Sequence, residues 1–153
     1  MDRYDPLRLD KQLCFPLYAA ARQITRRYRP YLDELDLTYT QYIAMMVFWE
    51  RRELSVKELG RHLYLDSGTL TPVLKSLEAK GFIRRRRCQE DERSVIAALT
   101  PEGEALRERA LAVPEKIASC VRLDGGEALE LYRLLWKLLG CLEDSPSSGA
   151  EPK

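Results

Sequence analysis

The sequence predicts a mainly α protein with one small β element, on three observations. Apolar residues recur at helical spacing along most of the chain. Two helix-start signals, at Ser55 and Asp66, stand close together in its middle. Just after them, over 82–99, the apolar period changes to that of strands. A chain of 153 residues, 45% apolar and 32% charged, is long enough for one domain with a real core and is not the composition of a disordered one.

Residues 7–29 carry Leu9, Leu13, Leu17, Ala20, Ala21, Ile24 and Tyr28 as one helical stripe. Pro16 predicts a kink or a late start, and Pro30 an end, because the residue before proline avoids helical geometry. A short helical turn is expected at 31–35. Thr40 is read as the cap of an apolar helix through Ile43, Ala44, Met46, Val47, Phe48 and Trp49. Ser55-Val56-Lys57-Glu58 is a capping box ahead of Leu59, Leu63 and Leu65. Asp66-Ser67-Gly68-Thr69 opens a helix carrying Leu70, Val73, Leu74 and Leu77, with Pro72 in its first turn and Gly81 as its stop.

Residues 82–88 and 94–99 then read as two strands around the charged turn Gln89-Glu90-Asp91-Glu92-Arg93. Two short helices followed by such a hairpin make a winged helix-turn-helix, placed at about 40–99. Thr100-Pro101 caps a helix running to about 120, bent at Pro114, and Asp124 starts a Leu-rich last helix. The helices at about 7–35 and 101–142 exceed what the wing domain can cover, so they are expected to form a dimer interface. All of 1–144 is expected to be one domain, with 145–153 a disordered tail.

The net charge of +1 speaks for no partner, but its distribution does. Residues 51–93 hold 11 basic and 7 acidic side chains, a local +4, and residues 94–153 a compensating −3. A basic lobe is the footprint of a polyanion-binding surface. Its expected readers of double-stranded DNA are Ser67, Thr69, Thr71 and Lys75 on the second helix, Arg84, Arg85 and Arg86 on the first strand, and Arg93 at the wing tip, braced by Asp91. Symmetric dimers of such readers take pseudo-palindromic operators.

No stretch approaches ~18 apolar residues and no signal peptide opens the chain, so a cytoplasmic protein without membrane contact is expected. Four cysteines without a C-x-x-C pair, and a single histidine, give no zinc site, and no metal or cofactor is expected. In a reducing compartment a cysteine matters through reactivity rather than as a structural disulfide.

These elements, with Asp91-x-Arg93 in the wing and Leu99-Thr100 before a helix, resemble the MarR transcriptional regulators across nearly the whole chain. Leu9-Asp10-Lys11-Gln12-Leu13-Cys14-Phe15, Leu37-Thr38-Tyr39-Thr40-Gln41-Tyr42 and Leu63-Tyr64-Leu65-Asp66-Ser67-Gly68-Thr69-Leu70-Thr71-Pro72 are similar to the OhrR subgroup. The resemblance implies a dimeric repressor, not an enzyme, that senses organic hydroperoxides and controls an organic hydroperoxide resistance gene. It makes Cys14 the sensor, Tyr28 and Tyr39 hydroxyl donors to its sulfur, and Cys120 the candidate resolving thiol, with Cys141, Cys88 or a small cellular thiol as alternatives.

Cys14 and Tyr28 lie fourteen residues apart, about 21 Å along one helix at ~1.5 Å per residue, so they meet only if two such helices cross between subunits. His62 is expected on a helix surface, and Phe15, Tyr18, Met45 and Met46 in the core. Two other functions fit parts of the sequence. One is a MarR-type repressor released by a phenolic ligand, with incidental cysteines. The other is a thiol peroxidase, which would have no use for the wing.

Overall fold

The computed structural model describes residues 3–91 and 93–143. The tail expected to be disordered, 145–153, lies outside the described residues. The chain divides into two compact units, one ending at Ala118 and one beginning at Ser119.

Two 3₁₀ turns, Asp5–Leu7 and Leu9–Lys11, precede helix α1 (Cys14–Asp33), so the helix expected from residue 7 starts late. Pro16 is its third residue, where no intrahelical donor is needed. Pro30 does not end it. The ring lies inside α1 on an exposed position, where solvent can take the carbonyl it leaves undonated. The separate turn expected at 31–35 is therefore largely the last turn of α1, which buries Leu32.

Helix α2 (Tyr39–Arg51) is capped by Thr38, not Thr40. Thr38 and Gln41 form a reciprocal capping box, so the start falls two residues early. Helix α3 (Val56–Leu63) carries the expected Ser55–Glu58 box, and helix α4 (Ser67–Ala79) the expected Asp66 cap. Pro72 falls beyond the first turn of α4, again on an exposed side. At its end Gly81 takes φ +79°, and the N–H groups of Gly81 and Phe82 donate to the carbonyls of Glu78 and Leu77. That is a Schellman stop, which favours glycine.

The wing has three strands rather than two. Strand β1 (Glu53–Ser55) joins β2 (Ile83–Arg87) and β3 (Val95–Leu99) in an antiparallel sheet of order β1-β3-β2. Three residues are too few to show alternation, and β1 exists because β3 offers it an edge. Register pairs Leu54 with Ala97 and Arg85 with Ala97, and pleating turns Leu54, Ile83 and Ala97 inward to be buried.

The helix expected to run to 120 is broken into α5 (Pro101–Ala110) and α6 (Val113–Ala118). Pro114 is the second residue of α6, and its ring is incompatible with a helical carbonyl four residues back at Ala110. These elements enclose one core, with Phe48, Met45, Leu59, Leu70, Leu74 and Leu77 fully buried. Of the four residues expected in the core, only Met45 is there: Phe15, Tyr18 and Met46 are exposed. The second unit contains α7 (Gly125–Glu143), whose first N–H groups donate to the Asp124 carboxylate.

One junction sets how the wing meets the helices. The Thr100 hydroxyl donates to the Gly81 carbonyl at 2.6 Å and accepts the Gly103 N–H at 3.0 Å. Trp49 Nε1 donates to the Gly103 carbonyl at 2.9 Å. A Cβ on Gly103 would stand 2.1 Å from the Phe82 carbonyl oxygen, a backbone atom that cannot step aside. Gly103→Ala is expected to cost about 2–3 kcal/mol of unfolding free energy by overpacking, read from urea denaturation. A midpoint equal to wild type would show that this packing is not needed.

Candidate functional site

Helix α4 begins where four backbone N–H groups lack helical acceptors, and Asp66 answers for one of them. Its Oδ1 accepts the Thr69 N–H at 2.8 Å and its Oδ2 the Thr69 hydroxyl at 3.0 Å, and these bonds hold the carboxyl below its ordinary range. Ser67, Thr69, Thr71 and Lys75 are all exposed on α4. The Thr71 hydroxyl donates to the Ser67 carbonyl at 2.7 Å, which leaves its lone pairs outward.

The four consecutive arginines divide by the pleat. Arg84 points away from the helices and is exposed. Arg86, on the same face, pairs with Glu53 across the sheet at 2.7 Å, an exposed pair that adds little stability. Arg85 points inward and is held by Glu78 of α4. Its Nε and Nη2 donate to Glu78 Oε2 at 2.9 and 2.7 Å, and its backbone N–H donates to Oε1 at 2.8 Å. The expected phosphate contact at Arg85 is thus occupied by a carboxylate that clamps the wing onto α4. Glu78 carries no sequence signal of this role, since the pair reaches across the turn at Gly81. The inward parity of Arg85 next to buried Ile83 is the one sign that an acidic partner was needed.

At the wing tip Asp91 braces the turn by a different route from the expected carboxylate–guanidinium pair. It accepts the Ser94 hydroxyl at 2.7 Å and the Arg93 backbone N–H at 3.0 Å, which together lower its pKa. The exposed guanidinium of Arg93 is left to face the cleft between α3, α4 and the wing. That cleft, about 750 Å³, is lined by Lys57, Arg61, Thr71, Arg85 and Arg93 among others. Lys57, Arg61 and Arg93 line it together with Ser67 and Thr71 from the first half of α4.

The second group of predicted residues lies around α1. Cys14 is the first residue of α1 and is exposed, at the helix end that favours negative charge. Tyr28 stands in the same helix, about 21 Å away at ~1.5 Å per residue. It packs edge-on against Tyr39 of α2, ring centres 4.9 Å apart, and against Tyr42 at 5.8 Å. Tyr42 escapes a reading of the sequence because it falls on the apolar stripe of α2. Burial raises the pKa of all three phenols, and their neighbours add to this at Tyr28 and Tyr42. They are neutral hydroxyl donors at physiological pH.

The structure therefore brings Tyr28 and Tyr39 together and leaves Cys14 at the far end of α1. Cys120 and Cys141 are exposed and Cys88 is half-buried. His62 is exposed on α3, as expected. Among the described residues no group of three or more His, Cys, Asp or Glu could hold a metal, and no helix is long and apolar enough to cross a membrane.

The model of the transcriptional regulator SarA/Rot family matches residues 26–109, which take in the tyrosine cluster and the whole wing. The organic hydroperoxide resistance transcriptional regulator of Bacillus subtilis (strain 168) is 45% identical over 141 residues, 92% of this chain and 96% of that protein. The chain belongs to the MarR/SarA family of transcriptional regulators. Within that family it is OhrR-like. Among solved structures it is similar to reduced AbfR bound to DNA, with 36% identity, a TM-score of 0.77, and coverage of 94% of this chain and 97% of that one. Disulfide-formed AbfR is also similar, at 35% identity and a TM-score of 0.64, over 93% of this chain and 97% of that one. AbfR is a protein of Staphylococcus epidermidis.

The clamp has a pH signature. Arg85 holds the Glu78 carboxyl below its ordinary range, through side-chain and then backbone hydrogen bonds. A depressed carboxyl stabilises the folded state fully above its unfolded pKa of about 4.3, and that stability is lost as pH falls through the lower folded value. Thermal unfolding of Glu78→Gln between pH 6 and 3 is expected to fall less steeply than wild type below about pH 4.5. Parallel curves would show that the clamp does not contribute.

Proposed function

We propose that this protein is a homodimeric repressor that binds a pseudo-palindromic DNA operator and releases it when an organic hydroperoxide oxidises Cys14. The observation that carries this reading is the division of the thiol site along α1. The exposed sulfur sits at one end of α1, Tyr28 packs against Tyr39 of α2 at the other, and several apolar side chains of α1 are exposed. Leu13 just before α1, and Phe15, Leu17 and Ile24 on it, are exposed, as are Leu129, Tyr132 and Trp136 on α7. Runs of exposed apolar side chains of this kind mark an association site, and a second copy is the partner that supplies the same helix in reverse. An antiparallel crossing of two α1 helices sets Cys14 of each subunit against Tyr28 and Tyr39 of the other.

The chemistry follows from that placement. The Cys14 thiolate attacks the distal oxygen of ROOH, the O–O bond breaks, and the alkoxide leaves with a proton as ROH. The sulfur, now a sulfenic acid, has been oxidised by two electrons. A second thiol condenses with it to form a disulfide and water. Cys120 is the candidate within the protein, and a small cellular thiol is the alternative. Either product replaces the thiolate that accepted the tyrosine hydrogen bonds, and the subunits settle at a spacing that no longer matches two half-sites about 34–36 Å apart. Ser67, Thr69, Thr71 and Lys75 meet the major groove, Arg84 and Arg86 the phosphates, and Arg93 the minor groove.

Operator binding by gel shift, with and without an organic hydroperoxide, tests the sensor. Cys14→Ser is expected to bind the operator as wild type does and to stay bound after treatment. Release that survives the substitution would overturn the redox reading and leave a repressor gated by a non-oxidising ligand. The arginines are separated by salt. Arg84→Ala should reduce the slope of log affinity against log salt by about 0.9, for the one phosphate it no longer neutralises. Arg85→Ala should instead lower unfolding stability, since its guanidinium serves Glu78.

A further inference from the structure

Gln41 is a polar side chain only 6% exposed, and both polar atoms of its amide are used. Its Oε1 accepts the Thr38 N–H at 3.0 Å and the Lys80 ammonium at 3.1 Å. Both donors lack lone pairs, so the oxygen of the amide is fixed on that side and the nitrogen on the other. Nε2 then donates to Ser76 Oγ in α4 at 2.9 Å. Lys80 also donates to the Asp36 carbonyl and pairs with its carboxylate at 3.4 Å.

The first turn of α2 is thereby hydrogen-bonded at two points to the end of the helix that reads DNA. The same first turn carries Tyr39, two residues before Gln41 and in ring contact with Tyr28. A capping residue needs only its own helix. An amide that caps α2 and also reaches Ser76 makes a displacement of Tyr39 a displacement of α4, because a buried amide cannot lose a partner cheaply.

We propose that Gln41 and Ser76 are positioning residues that couple the tyrosine cluster to the recognition helix. Their hydrogen bond carries the state of the thiol site to the angle of α4. The inference rests on the proposed redox function, and it assigns the connection that function requires within each subunit.

The experiment compares full-length wild type, Ser76→Ala and Ser76→Thr, because Gln41 itself caps α2 and its loss could unfold the start of that helix. Operator affinity is measured by fluorescence anisotropy before and after an organic hydroperoxide, and sulfenic acid formation at Cys14 is timed in the same samples. The expected result is that the ratio of affinities before and after treatment falls at least about threefold in Ser76→Ala. Ser76→Thr, which keeps the hydroxyl, should hold the wild-type ratio, and all three should oxidise at one rate.

A Ser76→Ala ratio equal to wild type overturns the coupling while leaving the sensor standing. So does a Ser76→Thr ratio as low as that of Ser76→Ala, since it would show a packing effect rather than a hydrogen bond. Wild type that keeps its operator after treatment overturns the redox function instead. The joint is then read from untreated protein, where Ser76→Ala should bind about fivefold more weakly and equal binding overturns it.

Discussion

The Thr100 hydroxyl holds the reading head in one shape. It closes the turn at Gly81 that ends α4, starts α5 through Gly103, and is itself buried where β3 ends. Three elements that must keep fixed angles in any DNA complex meet at that oxygen. The Glu78–Arg85 clamp adds a fourth constraint, tying the wing to the recognition helix. A head locked in this way does not adjust its own grip on a groove. The switch proposed above then acts on the placement of the whole head, or on the angle of α4 against α2, where Gln41 is hydrogen-bonded to Ser76 and Lys80.

The same constraint bears on where the proposed sensing residues lie. Tyr28 and Tyr39 pack onto the head through α2, whereas Cys14 sits about 21 Å along α1 at ~1.5 Å per residue, beside the exposed Leu13, Phe15 and Leu17. In the dimer proposed above, each protomer holds two halves of two different sites. Under that proposal, oxidation of one sulfur changes a contact between subunits, and the change reaches a rigid head whose register on DNA depends on the other subunit. A sulfur seated beside its own tyrosines would alter only local packing.

Much of this is legible in the sequence, and the exceptions have physical causes. The capping box at Ser55, the Asp66 cap, the stop at Gly81 and the period change after it place the winged helix-turn-helix correctly, because each is a local signal with a local cause. Thr38-x-x-Gln41 is also a readable box, overshadowed by Thr40, which lies nearer the apolar run. Pro30 and Pro72 mislead because the cost of proline inside a helix is outweighed where burial holds that helix. Here the burial of Leu32 and Leu74 does. The β1 strand and the choice of Glu78 as Arg85's partner leave no local signal, because both exist only after the chain has folded back on itself. The exposed apolar residues of α1 mimic core positions, since periodicity reports that a face will be covered and is silent about which chain covers it.

The most direct measurement is the rate of Cys14 oxidation by an organic hydroperoxide in a heterodimer of one Cys14→Ser subunit and one Tyr28→Phe subunit. If each thiol is served by the tyrosine of the other subunit, this heterodimer retains one complete site. Its single Cys14 should then react at the wild-type rate. A rate equal to that of the Tyr28→Phe homodimer would contradict the shared site, because it would mean that each sulfur depends on its own subunit's phenol.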